Sequence, residues 1–235
     1  MSKQMAAKLC FLSKHHLFQD FSPSQIEQLA RRITRLTYKP GHHFYHAGQI
    51  GEALFILQKG RVYLYRLTPQ GRKLIVRTLG AGAVFGEMAL IGNKIYEAFA
   101  VSVAPSYVYV ISNVEVYDFM RQIPNFALRL IEFIGGCLKD SERRLEQMAF
   151  LGTPSRLANL LLDMSGRDSE IGGYSHQEFS FMIGVYRETV SITLRTFKTL
   201  GLIDIGRLRI EIIDRQGLET IVANNLSLKK KHYKN

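Results

Sequence analysis

Cysteine is scarce in this chain of 235 residues: Cys10 and Cys137 are the only two. A pair of thiols cannot form a disulfide framework, a four-thiolate metal site or an iron–sulfur cluster by itself. Long apolar runs are also missing; none approaches the roughly 18–20 residues that span a bilayer. Near the start the only apolar stretch is Leu9-Cys10-Phe11-Leu12, too short for a signal-peptide core, so the chain is expected in the cytoplasm, away from membranes. No Ser/His/Asp order, glycine-rich phosphate loop or paired-carboxylate setting appears, and the chain is not expected to be an enzyme.

What is present is a core-forming composition. With 46% hydrophobic and 22% charged residues, wholesale disorder is excluded, and the length allows one large domain or two ordinary ones. The net charge of +11 suggests a polyanionic partner. Its distribution does not locate the binding face. Residues 1–150 carry a surplus of eight positive charges and residues 151–235 only three, four lysines being crowded into the last seven residues.

Three textures follow one another. Ser22-Pro23-Ser24 leads into Gln25-Ile26-Glu27-Gln28-Leu29-Ala30, a helix-start signal. From Tyr38 to Ile111 short β-type runs (53–57, 62–65, 74–76 and 107–111) alternate with glycines, the spacing of an antiparallel barrel or jelly roll. From Asn113 to Phe150 the period turns helical, and Ile131, Ile134, Leu138, Ser141, Leu145 and Met148 form a seam at steps of three and four that suits a second copy of the chain. Thr153-Pro154 reads as an N-cap with proline at the first helical position, after a hinge at Gly152. A polar, glycine-containing loop is expected over 165–173 and a β-hairpin over 205–212.

The sharpest signal lies between Ser175 and Leu202. Ser175-His176-Gln177-Glu178 has the form of a capping box, with Gly184 placed to end the short helix that follows. A second helix, Arg187 to Leu200, puts Val190, Leu194 and Phe197 inward and Arg187, Glu188, Ser191 and Arg195 outward. Two short helices joined at a glycine, the second exposing Arg and Glu at its start, make a helix-turn-helix.

Gly184-Val185-Tyr186-Arg187-Glu188-Thr189-Val190 closely resembles the recognition motif of the catabolite activator (CRP/FNR) family of bacterial transcription regulators. Pro40-Gly41, Gly48, Gly51-Glu52-Ala53-Leu54-Phe55-Ile56, Gly60 and Phe85-Gly86-Glu87-Met88-Ala89-Leu90 resemble that family's cyclic-nucleotide-binding β-roll. Met148-Ala149-Phe150-Leu151 and Arg156-Leu157-Ala158 resemble its hinge and the helix after it. The resemblance covers roughly residues 14 to 222. It implies an α+β chain: a jelly-roll sensory domain over 14–120, a dimerisation helix over 121–150, a winged helix-turn-helix over 151–225 and a basic tail over 226–235. It further implies a homodimer on near-palindromic double-stranded DNA, hinged at Phe150, Leu151 and Gly152, touching RNA polymerase as an activator, with repression left open. Arg187 and Glu188 would read base edges. Thr189, Ser175 and Gln177 would hold phosphates or align the helix, with Tyr186, Ser191 and Arg195 beside them. Tyr186 replaces the family's usual serine cap, and Ile192 stands where many members carry a base-reading arginine.

The effector is unknown. In cyclic-AMP-binding members Gly-Glu holds the ribose, here Gly86-Glu87, and an Arg-Ser or Arg-Thr pair holds the phosphate, a position that falls on Tyr96-Glu97. A glutamate there repels an anion, which argues against cyclic AMP, and Glu87 is expected to cap loop amides instead. Lys94 lacks the bidentate fork of arginine. Ser141 and Glu142 fall where the family's central helix meets its ligand, and equally suit a polar step in the dimer seam. Two other classes fit less well. A regulatory nucleotide-binding module acting on a protein partner would not need the helix-turn-helix, and a cupin-like metalloenzyme would need more than His42, His43, His46 and Glu52. No metal is expected.

Overall fold

The structure, a computed structural model, describes residues 3–166 and 168–232, with backbone only for Lys3 and 225–232. The chain forms two compact units: residues 1–70 with 76–138, and residues 71–75 with 139–235. It is an α+β protein.

The first unit begins with helices α1 (Lys3–Ser13) and α2 (Pro23–Arg32). Ser22 caps α2 reciprocally with Gln25. Eight strands follow: β1 (Thr34–Tyr38), β2 (His43–Tyr45), β3 (Ala53–Lys59), β4 (Val62–Leu67), β5 (Lys73–Leu79), β6 (Val84–Phe85), β7 (Phe99–Ser102) and β8 (Ser106–Ser112). They make two four-stranded sheets, ordered β1-β8-β3-β6 and β2-β7-β4-β5. Helix α3 (Asn113–Gln122) and the long α4 (Pro124–Phe150) come next.

Strand β3 shows why this region folds as a roll between two cores. Its run Leu54-Phe55-Ile56-Leu57 is buried throughout, so both faces are apolar. Leu54 and Ile56 pack with Leu12, Phe18, Leu29, Phe119 and Phe126 against the helices. Phe55 and Leu57 face the roll interior with Tyr45, Leu64, Phe85 and Tyr96. Helix α1 belongs to this unit, since Leu12 is fully buried; a first domain beginning at residue 14 omits it. The helical stretch expected from Asn113 is interrupted at Ile123, before Pro124, because the residue ahead of proline is driven out of the helical region.

In the second unit α4 ends at Phe150, and Leu151-Gly152 are non-helical. Gly152, not Thr153, is the N-cap of α5 (Thr153–Ser165), and it supplies no side-chain hydrogen bond. Then come β9 (Glu170–Gly172), α6 (His176–Ile183), α7 (Arg187–Thr199), β10 (Ile203–Gly206), β11 (Arg209–Ile212) and α8 (Arg215–His232). The polar loop expected over 165–173 contains β9, which extends the hairpin to a three-stranded sheet, β10-β11-β9. Ile171 enters the core from it, joining Leu157, Phe179, Val190, Leu194, Phe197 and Leu218. The side chains of the basic tail, 226–235, lie outside the described residues.

Candidate nucleic-acid interface

Helix α6 starts where its sequence demands. Ser175 Oγ accepts from the Glu178 amide, and the Glu178 carboxylate accepts from the Ser175 amide at 2.8 Å, which satisfies two of the helix's orphan donors. The helix ends at Gly184, whose φ of +68° is a left-handed conformation that side chains resist, and whose amide returns to Ser180 O. Arg156 Nη1 donates to the Ile183 carbonyl at 2.9 Å, tying α5 to this turn.

That turn aims α7. Its first residues are held by packing beneath them, with Val190, Leu194 and Phe197 buried and Thr193 donating back to Thr189 O at 2.8 Å. Tyr186 is the N-cap but makes no capping hydrogen bond, and its ring is exposed. Arg187, Glu188, Ile192 and Arg195 are exposed, and Thr189 is half-buried. Arg187 and Glu188 take part in no ion pair among the described residues. Ser191 is less outward than the helix periodicity suggests: it is half-buried, and its Oγ lies 2.9 Å from His176 Nδ1. Gln177 is exposed and bonds Ser180 Oγ at 3.1 Å.

His176 is the residue that sequence reasoning passed over. It stands at the first position of α6, its ring bridging to α7. Burial and the nearby guanidinium groups of Arg187 and Arg195 lower its pKa. A histidine directly after the capping serine was the available signal. Ser175, His176, Gln177 and Arg187 border a cleft of about 210 Å³ whose other wall is the β10–β11 hairpin, including Leu208 and Arg209. Arg209 is braced by Glu170 at 3.0 Å and Glu211 at 2.9 Å. One structure thus presents the arginine-bearing start of α7, a hydrogen-bonding edge on α6 and an arginine-bearing hairpin. Guanidinium forks and hydroxyls at the start of an exposed helix suit base edges and phosphates.

Of the residues assigned to an effector, Gly86, Glu87, Tyr96 and Glu97 belong to the first unit. Gly86 adopts φ +87°, and a Cβ there would fall 2.8 Å from Ala53 O. The Glu87 carboxylate, expected to cap loop amides, faces the Arg77 guanidinium at 3.5 Å. Tyr96 points into the roll, stacked on Tyr45 with ring centroids 3.7 Å apart, and its hydroxyl donates to Ala53 O at 2.9 Å. Glu97 lies outside, paired with Arg66 at 2.7 Å. Ser141 and Glu142 are exposed on α4. His43 bonds Tyr65 OH at 3.0 Å, and His42 stacks on Tyr38. Among the described residues no cluster of three or more His, Cys, Asp or Glu could hold a metal ion, and no helix is long and apolar enough to cross a membrane.

On α4, of the residues expected to form a seam, Ile131, Leu138, Leu145 and Met148 are all more than half exposed in the single chain, while Ile134 is half-buried. Of the hinge residues, Leu151 is buried and Phe150 exposed.

Comparison with known proteins places two family profiles on the chain. The cyclic nucleotide-binding domain matches residues 35–123 and the Crp-like helix-turn-helix domain residues 155–221. The chain is 26% identical over 206 residues to the cyclic AMP receptor protein of Thermus thermophilus, covering 87% of this chain and 95% of that protein. It is 23% identical over 215 residues to the CRP-like cAMP-activated global transcriptional regulator of Mycobacterium tuberculosis, covering 88% and 96%. Among solved structures, FixK2 from Bradyrhizobium japonicum superposes with a TM-score of 0.74 at 22% identity, covering 80% of this chain and 96% of that one.

Proposed function

Because the chain belongs to the CRP/FNR family of transcription regulators, we propose that it binds double-stranded DNA sequence-specifically as a homodimer and regulates transcription. The observation that carries this reading is the start of α7, where Arg187 and Glu188 stand exposed above a fully packed helix-turn-helix. Arginine forks onto guanine O6 and N7, and glutamate accepts from cytosine N4, so each half-site is expected to hold G·C pairs. Thr189, Ser175, Gln177, Tyr186, Ser191 and Arg195 hold phosphates or align the helix. The exposed apolar line along α4 supports pairing with a second copy, which sets the two α7 helices about one DNA turn, ~34 Å, apart.

In this reading residues 3–120, helix α1 included, sense, 121–150 dimerise and 151–225 read DNA, with Phe150, Leu151 and Gly152 as the hinge. The protein is a cytoplasmic regulator, not an enzyme, and it works as an activator through RNA polymerase. Gly86, Glu87, Tyr96, Glu97, Ser141 and Glu142 mark the sensory site, and cyclic AMP is not its effector.

The experiment is selection of an operator from a randomised duplex library, followed by fluorescence anisotropy with the wild type and Arg187→Ala. The wild type is expected to prefer the selected operator over random duplex. The variant should keep its dimer mass by light scattering and lose that preference, each lost base contact being worth about 1–3 kcal/mol. Operator preference retained by Arg187→Ala would overturn the assignment of α7.

A further inference from the structure

Helix α7 carries an apolar side chain that its own fold does not use. Ile192 is 63% exposed, one helical turn beyond Glu188. The helix buries Val190, Thr193, Leu194 and Phe197, so Ile192 contributes neither to the core nor to a cap. As a β-branched residue it also favours the helix less than the straight-chain alternatives do.

The surface beside it is poor in free polar groups. Thr196 Oγ1 donates to the Ile192 carbonyl at 3.1 Å, and Thr199 Oγ1 donates to the Arg195 carbonyl at 3.1 Å. Both hydroxyls are therefore already engaged by the helix's own backbone. With Leu200, also exposed, and Arg195 these residues border a shallow hollow of about 300 Å³. This surface continues the face that bears Arg187 and Glu188, and Arg187 and Arg195, on the same helix, match the charge of a polyanion.

In the major groove the four base pairs present hydrogen-bond donors and acceptors together with one apolar group, the C5 methyl of thymine. An isoleucine set against a polar base edge would strip its water and return no hydrogen bond, whereas against a methyl both surfaces leave water together. We propose that Ile192 is a specificity-determining residue that reads a thymine methyl in each half-site, alongside the polar contacts of Arg187 and Glu188. The inference rests on the DNA-binding reading above and names a chemical feature of its operator.

The test uses the full chain and the selected operator. Each thymine is replaced in turn by deoxyuridine, which removes the methyl and leaves the pairing edge intact. For the wild type, one symmetry-related thymine per half-site should weaken binding about fourfold when demethylated, and about fifteenfold when both are replaced. Ile192→Ala, at an exposed position, should fold and dimerise normally, bind the thymine operator more weakly, and bind the thymine and deoxyuridine operators alike. Ile192→Val should keep the distinction. An operator that depends on Arg187 yet contains no methyl-sensitive thymine overturns this inference and leaves DNA binding standing, as does an unchanged methyl effect in Ile192→Ala. A library that yields no consensus overturns the DNA-binding reading and this inference with it.

Discussion

At the scale of single residues, His15 is the clearest case of a side chain fixed in one protonation state by its surroundings. It is buried, its Nδ1 accepts the Leu17 amide at 3.3 Å, and its Nε2 donates to Gly82 O at 3.0 Å. That pattern needs the neutral ring, because a proton on Nδ1 would face an N–H. Burial is the main cause that lowers its pKa from 6.5 to about 4, with the Gly82 carbonyl opposing and the neighbouring His16 adding to it. The unfolded chain therefore binds a proton that the folded chain refuses. Stability from this group is complete above pH 6.5 and falls as pH drops toward 4, by on the order of 3 kcal/mol. Urea midpoints measured from pH 7 to 4.5 should fall for the wild type and fall less for His15→Gln; parallel curves would refute the assignment. Residues whose partners are close in sequence were legible beforehand: Ser175 with Glu178, and Gly184 at a helix end. His15 and His176 were not, because Gly82 and Ser191 reach them only through the tertiary fold.

At the scale of elements, α4 displays an apolar line that nothing among the described residues covers. Leu138 is 60% exposed and Leu145 68%, two turns apart on one face. Replacing both by glutamate removes little from the monomer's own packing, so helix content by circular dichroism should hold. The proposed dimer should weaken by at least about a hundredfold, since desolvating two like charges where α4 would pair costs several kcal/mol. Sedimentation showing an unchanged dimer would rule out α4 as the pairing element. The exposed apolar line was readable because a period of three and four is local information. Strand β9 was not: it is three residues long, and its partner β11 lies almost forty residues further on, so its sequence reads as a loop until the sheet is closed. Helix α1 was missed for a related reason, since Leu12 is recognisable as core only against Phe18 and Tyr109.

At the scale of the whole molecule, a regulator needs a state that a ligand can favour, and a ligand shifts an equilibrium only by its differential affinity for the two states. In the roll, Tyr96 is committed to Tyr45 and to the Ala53 carbonyl, Glu87 to Arg77, and Glu97 to Arg66. Cyclic AMP would meet no free arginine at Tyr96-Glu97. Anisotropy titrations on the selected operator should accordingly give the same affinity with and without the nucleotide, to within about twofold. A tenfold gain on adding it would mean that Arg77 or another cation supplies the phosphate contact. The glycine-punctuated β-roll and the helix-turn-helix were legible as patterns, whereas these pairings inside the roll depend on side chains converging from separate strands. The sheet that β9 closes has a further consequence. Strand β9 precedes both α6 and α7 yet pairs with β11 beyond them, and Ser155 Oγ reaches the Ile221 carbonyl at 3.0 Å, so the segment from 153 to 222 begins and ends at the same place. A segment whose two ends meet is portable: it can be grafted onto another sensory module, or circularly permuted, without stretching its own chain.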